Sequence, residues 1–372
     1  MTKKALTPAD EAKLDATEAR HSLTAAERKS AADRRELNLT RTRLRQAEAD
    51  VKALEESLSI VRGIEHVTPD PPKWMAPAPS GKHLGTPLLI MADNHFDEIV
   101  RPEEIMGLNA YNRKIAVMRL RKTFEGAIIL PERYIGTSLK HDGIVVAHAG
   151  DLLTGEIHDE LTETNEAKPT ETIEFFIDPM IAGFDMLLDA YGKVHVVVVS
   201  GNHDRLYRKY RAKGQARTSW AWLFWKTVAR HYASNPKITF TIPDGNSTIF
   251  GVYDTRFLLH HGEGFRGGGG IAGPLTPLAL GQKRKLLKHV AGESYTGNES
   301  LRFDQIIQGH VHHRNSIPGL ITVGAAKGFD EYADSKDYPY EPPSQELLVV
   351  TPERGITFGA AIWLQDRKAE GW

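Results

Sequence analysis

The stretch VHVVVVSGNHD, residues 194–204, decides the fold. Its apolar half, Val194–Ser200, reads as a buried strand, and the strand runs straight into Gly201-Asn202-His203-Asp204. In open α/β sheets ligands gather at the carboxyl ends of strands, so a polar cluster at that point marks a candidate site. The same arrangement recurs upstream. Pro87–Ala92 is a short apolar strand ending in Asp93-Asn94-His95, and Gly143–Ala149 is a strand ending in Gly150-Asp151. Helical stretches accompany these strands at Asn109–Phe124, Thr170–Tyr191 and near Ser219–Tyr232. The first of them carries a basic face of Arg113, Lys114, Arg119, Arg121 and Lys122. Later segments are shorter and strand-like: Lys237–Ile242, Arg256–His261, Gln305–Gln308, Leu320–Val323, Glu346–Val350 and Ile356–Trp363. The pattern is α/β in the first half, followed by a second, more antiparallel sheet.

Two further polar clusters follow strands, His260-His261-Gly262 and Gly309-His310-Val311-His312. On extended backbone an x-His-x-His pair points both side chains to one face. The adjacent glycines let the chain turn tightly and leave room for ions and substrate. The inventory is then Asp93, His95, Asp151, Asn202, His261, His310 and His312. That is too many ligands for one tetrahedral ion. It suits two ions about 3.5–4 Å apart that share a carboxylate, the spacing of an in-line phosphoryl displacement. The chain has 16 histidines and no cysteine, which removes disulfides, thiolate nucleophiles and sulfur-ligated zinc. Oxygen and nitrogen ligands point to Mn, Fe or Zn.

Each fragment alone is weak, since an Asp-x-His or a Gly-Asp occurs constantly and a lone histidine is usually structural. The ordered set D-x-H, G-D, G-N-H-D, H-G and G-H-x-H is specific. It resembles the calcineurin-like metallophosphoesterase family over roughly residues 88–325. FDEIV after the first motif and NAYNR in the next segment are similar to phage-type members, which implies action in a host cytoplasm. The resemblance implies a four-layer αββα sandwich of two mixed β-sheets. It implies that Asp93, His95 and His312 hold one metal, that Asn202, His261 and His310 hold the second, and that Asp151 bridges them. His203 would act as general acid or charge stabiliser, oriented by Asp204, while a metal-bridging hydroxide attacks phosphorus. Manganese is the expected metal, with iron or zinc as alternatives. The family position favours His261 over His260, and the spacing favours His312 over His313. His158 reads as a helix-surface residue, and His148 and His195 as structural residues within strands.

Arg205–Arg217 carries six basic residues and no acid directly after the Asn202-His203 loop, with Tyr207, Tyr210, Trp220, Trp222 and Trp225 interleaved or close by. Arg205, Arg208, Lys209 and Arg211 are the candidate substrate contacts. Basic residues with aromatics suit a nucleic-acid backbone and its bases, so a phosphodiesterase acting on DNA or RNA is the leading reading. Opposing it, Glu156–Asp178 carries eight acids and one lysine. A phosphomonoesterase is the alternative, and a non-catalytic scaffold a minor one. A second basic run spans Lys283–Lys288, and the glycine-rich Gly262–Gly273 is expected to cover the site.

Three segments are expected: a helix over 1–62, a Pro-rich linker over 63–87, and the catalytic domain over 88–372. Thr7 and Pro8 suit a helix start, and no Pro or Gly follows until Gly63. Leu37, Leu44, Val51 and Leu58 recur every seven residues, with Leu54 and Val61 on the partner seam. This predicts a coiled coil and a homo-oligomer. With 41% hydrophobic and 26% charged residues and a net charge of −1, the chain reads as globular without a global basic field. No apolar run or signal-type segment predicts membrane insertion, so a cytoplasmic location is expected.

Overall fold

The computed structural model describes residues 8–65, 83–264 and 275–372. Residues 66–82 of the expected linker, Thr7, and most of the glycine-rich covering segment lie outside the described residues. The chain divides into two compact units, Met1–Ser80 and Gly81–Trp372. The first contains helix α1, Pro8–Glu65, along which Leu37, Leu44 and Val51 are exposed.

The second unit begins with β1 (His83–Leu84) and β2 (Thr86–Met91), then α2 (Arg113–Tyr134), β3 (Leu139–Lys140) and β4 (Ile144–His148). There follow α3 (Asp159–Thr164), α4 (Pro169–Tyr191), β5 (Val194–Val198), α5 (Trp220–His231) and β6 (Ile238–Thr241). Next come β7 (Ser247–Val252), β8 (Thr255–His260), α6 (Leu275–Thr296), β9 (Gln305–Gln308), β10 (Asn315–Ile317) and β11 (Leu320–Thr322). The chain closes with α7 (Glu331–Ser335), β12 (Ser344–Thr351), β13 (Gly355–Trp363) and α8 (Arg367–Glu370). One sheet has the order β13-β12-β2-β4-β5-β6, the other β10-β11-β9-β8-β7. Strands β2, β4, β5 and β6 are parallel, so the loops after β2, β4 and β5 leave one edge together.

Strand alternation builds the layers. Leu89, Met91, Val146, Val196 and Val198 face a helical layer in which Phe124, Phe176, Phe184 and Trp225 are fully buried. Their neighbours Leu88, Ile90, Ala147 and Val197 pack on Phe257, Leu259 and Ile307 of the second sheet. On that sheet's outer side Leu278 of α6 joins Leu258, Ile306 and Leu320. The result is the four-layer αββα arrangement of two mixed sheets.

Three readings change. The second sheet pairs β8 with β9 and β9 with β11 in parallel, so it is less antiparallel than expected. The connection between β8 and β9 contains α6, a crossover helix that carries the Lys283–Lys288 run. Helix α2 continues ten residues past Phe124 to Tyr134. Arg119 is not part of its solvent-facing basic side. It is fully buried, with Nε donating to Glu370 Oε1 at 3.0 Å and Nη2 to Glu370 Oε2 at 3.1 Å. Its other bonds reach Lys327 O at 2.7 Å and Asn109 Oδ1 at 2.9 Å, tying α2 to α8 and to the segment before α7. Removing one member leaves an uncompensated buried charge, which costs about 3–5 kcal/mol. We therefore expect Glu370→Met to lose about 3 kcal/mol in urea unfolding, with Arg119→Met/Glu370→Met recovering part of it. A single variant within about 0.5 kcal/mol of wild type would show that the pair contributes little.

Candidate metal centre

The loops leaving β2, β4, β5, β8 and β9 meet at one edge of the two sheets. Asp93, His95, Asp151, His310 and His312 all have left-handed backbone, with φ between 49° and 70°. Among the described residues only three other non-glycine residues have positive φ. His310 and His312 are therefore not on extended backbone, as the x-His-x-His reading supposed. Each sits in its own left-handed turn, and the two side chains join different groups.

Backbone bonds lock the loops to one another. Asp93 N donates to Gly150 O at 3.0 Å and Asn94 N to Asp151 O at 2.8 Å. Asp204 accepts from Asp151 N (3.1 Å), Leu152 N (3.0 Å), Leu153 N (3.1 Å) and Gly201 N (2.7 Å). This corrects the role expected of Asp204: its carboxylate is occupied by backbone donors, and the His203 ring is held instead by Thr154, whose carbonyl accepts from Nδ1 at 2.9 Å. The glycines make room for carboxylates as well. A Cβ on Gly201 would lie 2.1 Å from Asp151 Oδ1, and one on Gly309 would lie 2.5 Å from Asp93 Oδ2.

The expected ligands converge in two candidate metal-ligand groups, Asp93-His95-His312 and Asp151-His261-His310, each with ligand atoms within 4.8 Å of one another. Asp151 Oδ2 lies 2.9 Å from His261 Nε2 and 3.9 Å from His95 Nε2, so it stands between the groups. Asn202 Oδ1 is 3.1 Å from His261 Nε2. Ring orientation is set from behind. His261 Nδ1 donates to Ala149 O at 2.8 Å, which turns Nε2 to the centre. Thr154 Oγ1 donates to Glu98 Oε2 (2.7 Å) and so accepts from His95 Nδ1 (3.0 Å). The buried Nε2 of His95 is then left with a free lone pair and no hydrogen-bond partner. That orphaned atom, 3.9 Å from Asp151 Oδ2, fits a metal ligand with an oriented outer shell.

The electrostatics suit ligation at three of the four histidines, while at His261 burial is outweighed by the Asp151 carboxylate, which holds the pKa well above the usual range. Burial, then the Lys327 ammonium, push the His95 and His312 imidazoles well below their usual range, and burial, then His261, takes His310 to about 4. All three are neutral near pH 7, the form that ligates. Burial raises Asp93 to about 8, against the pull of His261 and helped by Asp151. Burial also opposes ionisation of Asp151, but His261 and then His203 outweigh it and hold the carboxyl well below the usual range. Buried carboxylates this close call for positive charge between them.

The chain belongs to the calcineurin-like phosphoesterase family. The family model matches residues 86–314. The chain is accordingly a metal-dependent hydrolase of phosphate esters. Among solved structures it is similar to a zinc complex of wild-type Vps29 from Entamoeba histolytica, at 14% identity, TM-score 0.29, and coverage of 75% of this chain and 100% of that one. It is also similar to YfcE, a phosphoesterase from E. coli, at 12% identity, TM-score 0.28, and coverage of 74% and 100%. No curated protein matches.

Other expectations find their places. His260 is buried and belongs to neither candidate group, and burial, then Lys285 of α6, lower its pKa. His313 Nδ1 bonds Glu341 at 2.9 Å, outside both groups. His148 Nε2 meets Asn94 Oδ1 at 2.8 Å and His195 Nδ1 meets Thr239 Oγ1 at 2.8 Å. His158 is exposed, 6.1 Å from His203 between ring centroids. A groove of about 1130 Å³ runs past Asp151, Asn202, His203, His310 and His312, and His158 lines it too. Arg205, Arg208, Lys209 and Arg211 do not line it. Arg208 pairs with Asp159 at the rim, Arg205 Nη2 donates to the Arg208 carbonyl, and Arg211 stacks on Tyr207. Sequence reasoning missed Thr154, Glu98 and Lys327, which orient the first group from behind. The only available signal was the acidic pair Asp97-Glu98, which follows His95 after Phe96.

We expect Gly201→Ala to displace Asp151 and weaken Mn²⁺ binding by roughly 10- to 100-fold in calorimetric titration. Wild-type affinity in a folded variant would show that the Asp151 carboxylate does not depend on that close approach.

Proposed function

We propose that this enzyme hydrolyses phosphodiesters with two divalent cations. Asp93, His95 and His312 hold one, Asn202, His261 and His310 hold the other, and Asp151 bridges them. The supporting observation is the pair of buried carboxylate–histidine groups with Asp151 between them. Manganese suits this oxygen–nitrogen donor set, as do iron and zinc. Bound there, the ions supply Lewis acidity, which neutralises phosphoryl charge and acidifies water. The chain's own part lies with His203. Its Nδ1 donates to the Thr154 carbonyl and its backbone N donates to Asp151 Oδ1 at 2.8 Å, so Nε2 is kept for the leaving oxygen and delivers a proton there from the imidazolium form, which burial opposes and the Asp151 carboxylate favours.

The groove extends well beyond the room one phosphate needs, which favours a diester carrying two substituents. Nucleic acid is the narrower form of this reading. It rests on Arg205–Arg217, and Arg208 there is already neutralised by Asp159. Carboxylates also outnumber Lys and Arg along the groove, nine to three, so a compact diester fits its field better than a long polyanion. A monoesterase is the second reading.

Mn²⁺-dependent turnover of bis(p-nitrophenyl) phosphate should exceed that of p-nitrophenyl phosphate, and Asp151→Ala should lower it on the order of 10²–10³-fold. A monoester preference would replace the diester reading. Labelled DNA and RNA cut faster than the small diester would restore the nuclease.

We also propose that α1 assembles the chain into a homo-oligomer, because Leu37, Leu44 and Val51 form an exposed heptad seam. Deleting residues 1–62 should lower the number of chains per particle measured by light scattering and leave small-ester turnover largely intact. An unchanged number of chains per particle would refute the assembly role.

A further inference from the structure

One wall of the groove is built by α7 and the turn after it. Tyr332 and Tyr338 are 63% and 49% exposed, and their rings meet edge to face with centroids 6.2 Å apart. Both line the same groove as Asp151 and His203. The wall is anchored from beneath. Asp330 Oδ1 accepts from Ala333 N at 2.7 Å and Oδ2 pairs with buried Lys327 at 2.5 Å. Tyr338 N donates to Ala333 O at 3.0 Å, and Arg101 N donates to Glu331 Oε1 at 2.8 Å. Two large aromatics are thus held toward water on a rigid base, beside the site of chemistry.

The face of Tyr332 already receives a cation. Lys336 Nζ lies 5.8 Å from its ring centroid. The other two Lys and Arg residues of the groove are paired with carboxylates: Lys327 lies against Glu98 and Asp330, and Arg101 against Glu104. Aromatic faces in an acid-rich groove recognise organic ammonium groups.

We propose that Tyr332 and Tyr338 are specificity-determining residues that receive an organic ammonium group on one alcohol substituent of the phosphodiester. The inference rests on the diesterase reading above. The groove's charge separates this occupant from a plain aryl or alkyl group, which the rings would also cover but the carboxylates would not attract.

Two chromogenic diesters test it: p-nitrophenylphosphorylcholine and p-nitrophenyl 3,3-dimethylbutyl phosphate, its uncharged carbon analogue. In both, water adds across the P–O bond to the aryl group, releasing p-nitrophenol and leaving the alkyl monoester. With Mn²⁺ bound, the wild type should favour the ammonium ester by about tenfold in kcat/KM. In Tyr332→Ala and Tyr338→Ala the ratio should fall toward one, whatever the absolute rates, and Tyr332→Phe should keep it because the π-face remains. Equal turnover of the two esters by wild type, or a preference that survives in the Tyr332→Ala/Tyr338→Ala pair, overturns the inference and leaves the diesterase standing. If Mn²⁺-loaded wild type hydrolyses neither ester nor bis(p-nitrophenyl) phosphate, the diesterase reading falls and takes this one with it.

Discussion

Asp204 is a buried carboxylate whose bonds are to backbone. Burial, then Asp151, raise its pKa to about 7, and four N–H donors from the loops after β4 and β5 favour its charge. Those donors belong to Asp151, Leu152, Leu153 and Gly201, the segments that carry the Asp151 carboxylate and lead into Asn202 and His203. One side chain therefore holds two strand-end loops in register. Thr154 extends the lock with two separate atoms, its carbonyl on His203 and its hydroxyl on His95. The centre is aimed less by the strands than by this lattice of buried polar bonds, which water cannot loosen.

That division explains what could be read in the chain. Val194–Val198 and Thr86–Met91 are apolar enough to be strands in any context, and each spills into polar residues that a strand would not keep. Fold and candidate ligands were therefore legible together. Strands β7 and β10 were not, since they lie at the sheet's edges and are mostly only half-buried, so neither shows clean alternation. Helix α6 mixes lysine and leucine around its whole circumference and hides its one inward stripe. Arg119 looked like part of a basic face because its partner Glu370 lies 251 residues away. Asp204 sits beside His203 in sequence, and adjacency cannot say whether a carboxylate turns to a ring or to its own backbone.

Charge separates the site from its approaches. Arg205, Arg208 and Arg211 of the basic stretch after Asp204 make local contacts, and the acidic segment after Asp151 contributes Asp159 and Glu160 to the groove. In the proposed diesterase a phosphoryl group would be held chiefly where the cations sit, and the rest of the groove, with nine carboxylates to three Lys and Arg, would choose among the uncharged or cationic substituents the phosphate carries.

The backbone adds a last constraint. Five of the seven expected ligands have left-handed φ, which costs on the order of 1–2 kcal/mol for each such residue, somewhat less for Asp and His. Summed, this approaches the whole stability of an ordinary domain. The strain is not scattered: it falls on residues whose side chains must meet in one small volume, and whose carboxylates repel each other when no cation lies between them. The hydrogen-bond lattice around Asp204 and Thr154 offsets part of it. A bound cation would add to this, because it would favour the folded arrangement alone. Metal affinity and loop order are then one equilibrium, and a substitution that relaxes the turn at Asp93 or Asp151 would loosen the ligand group as well.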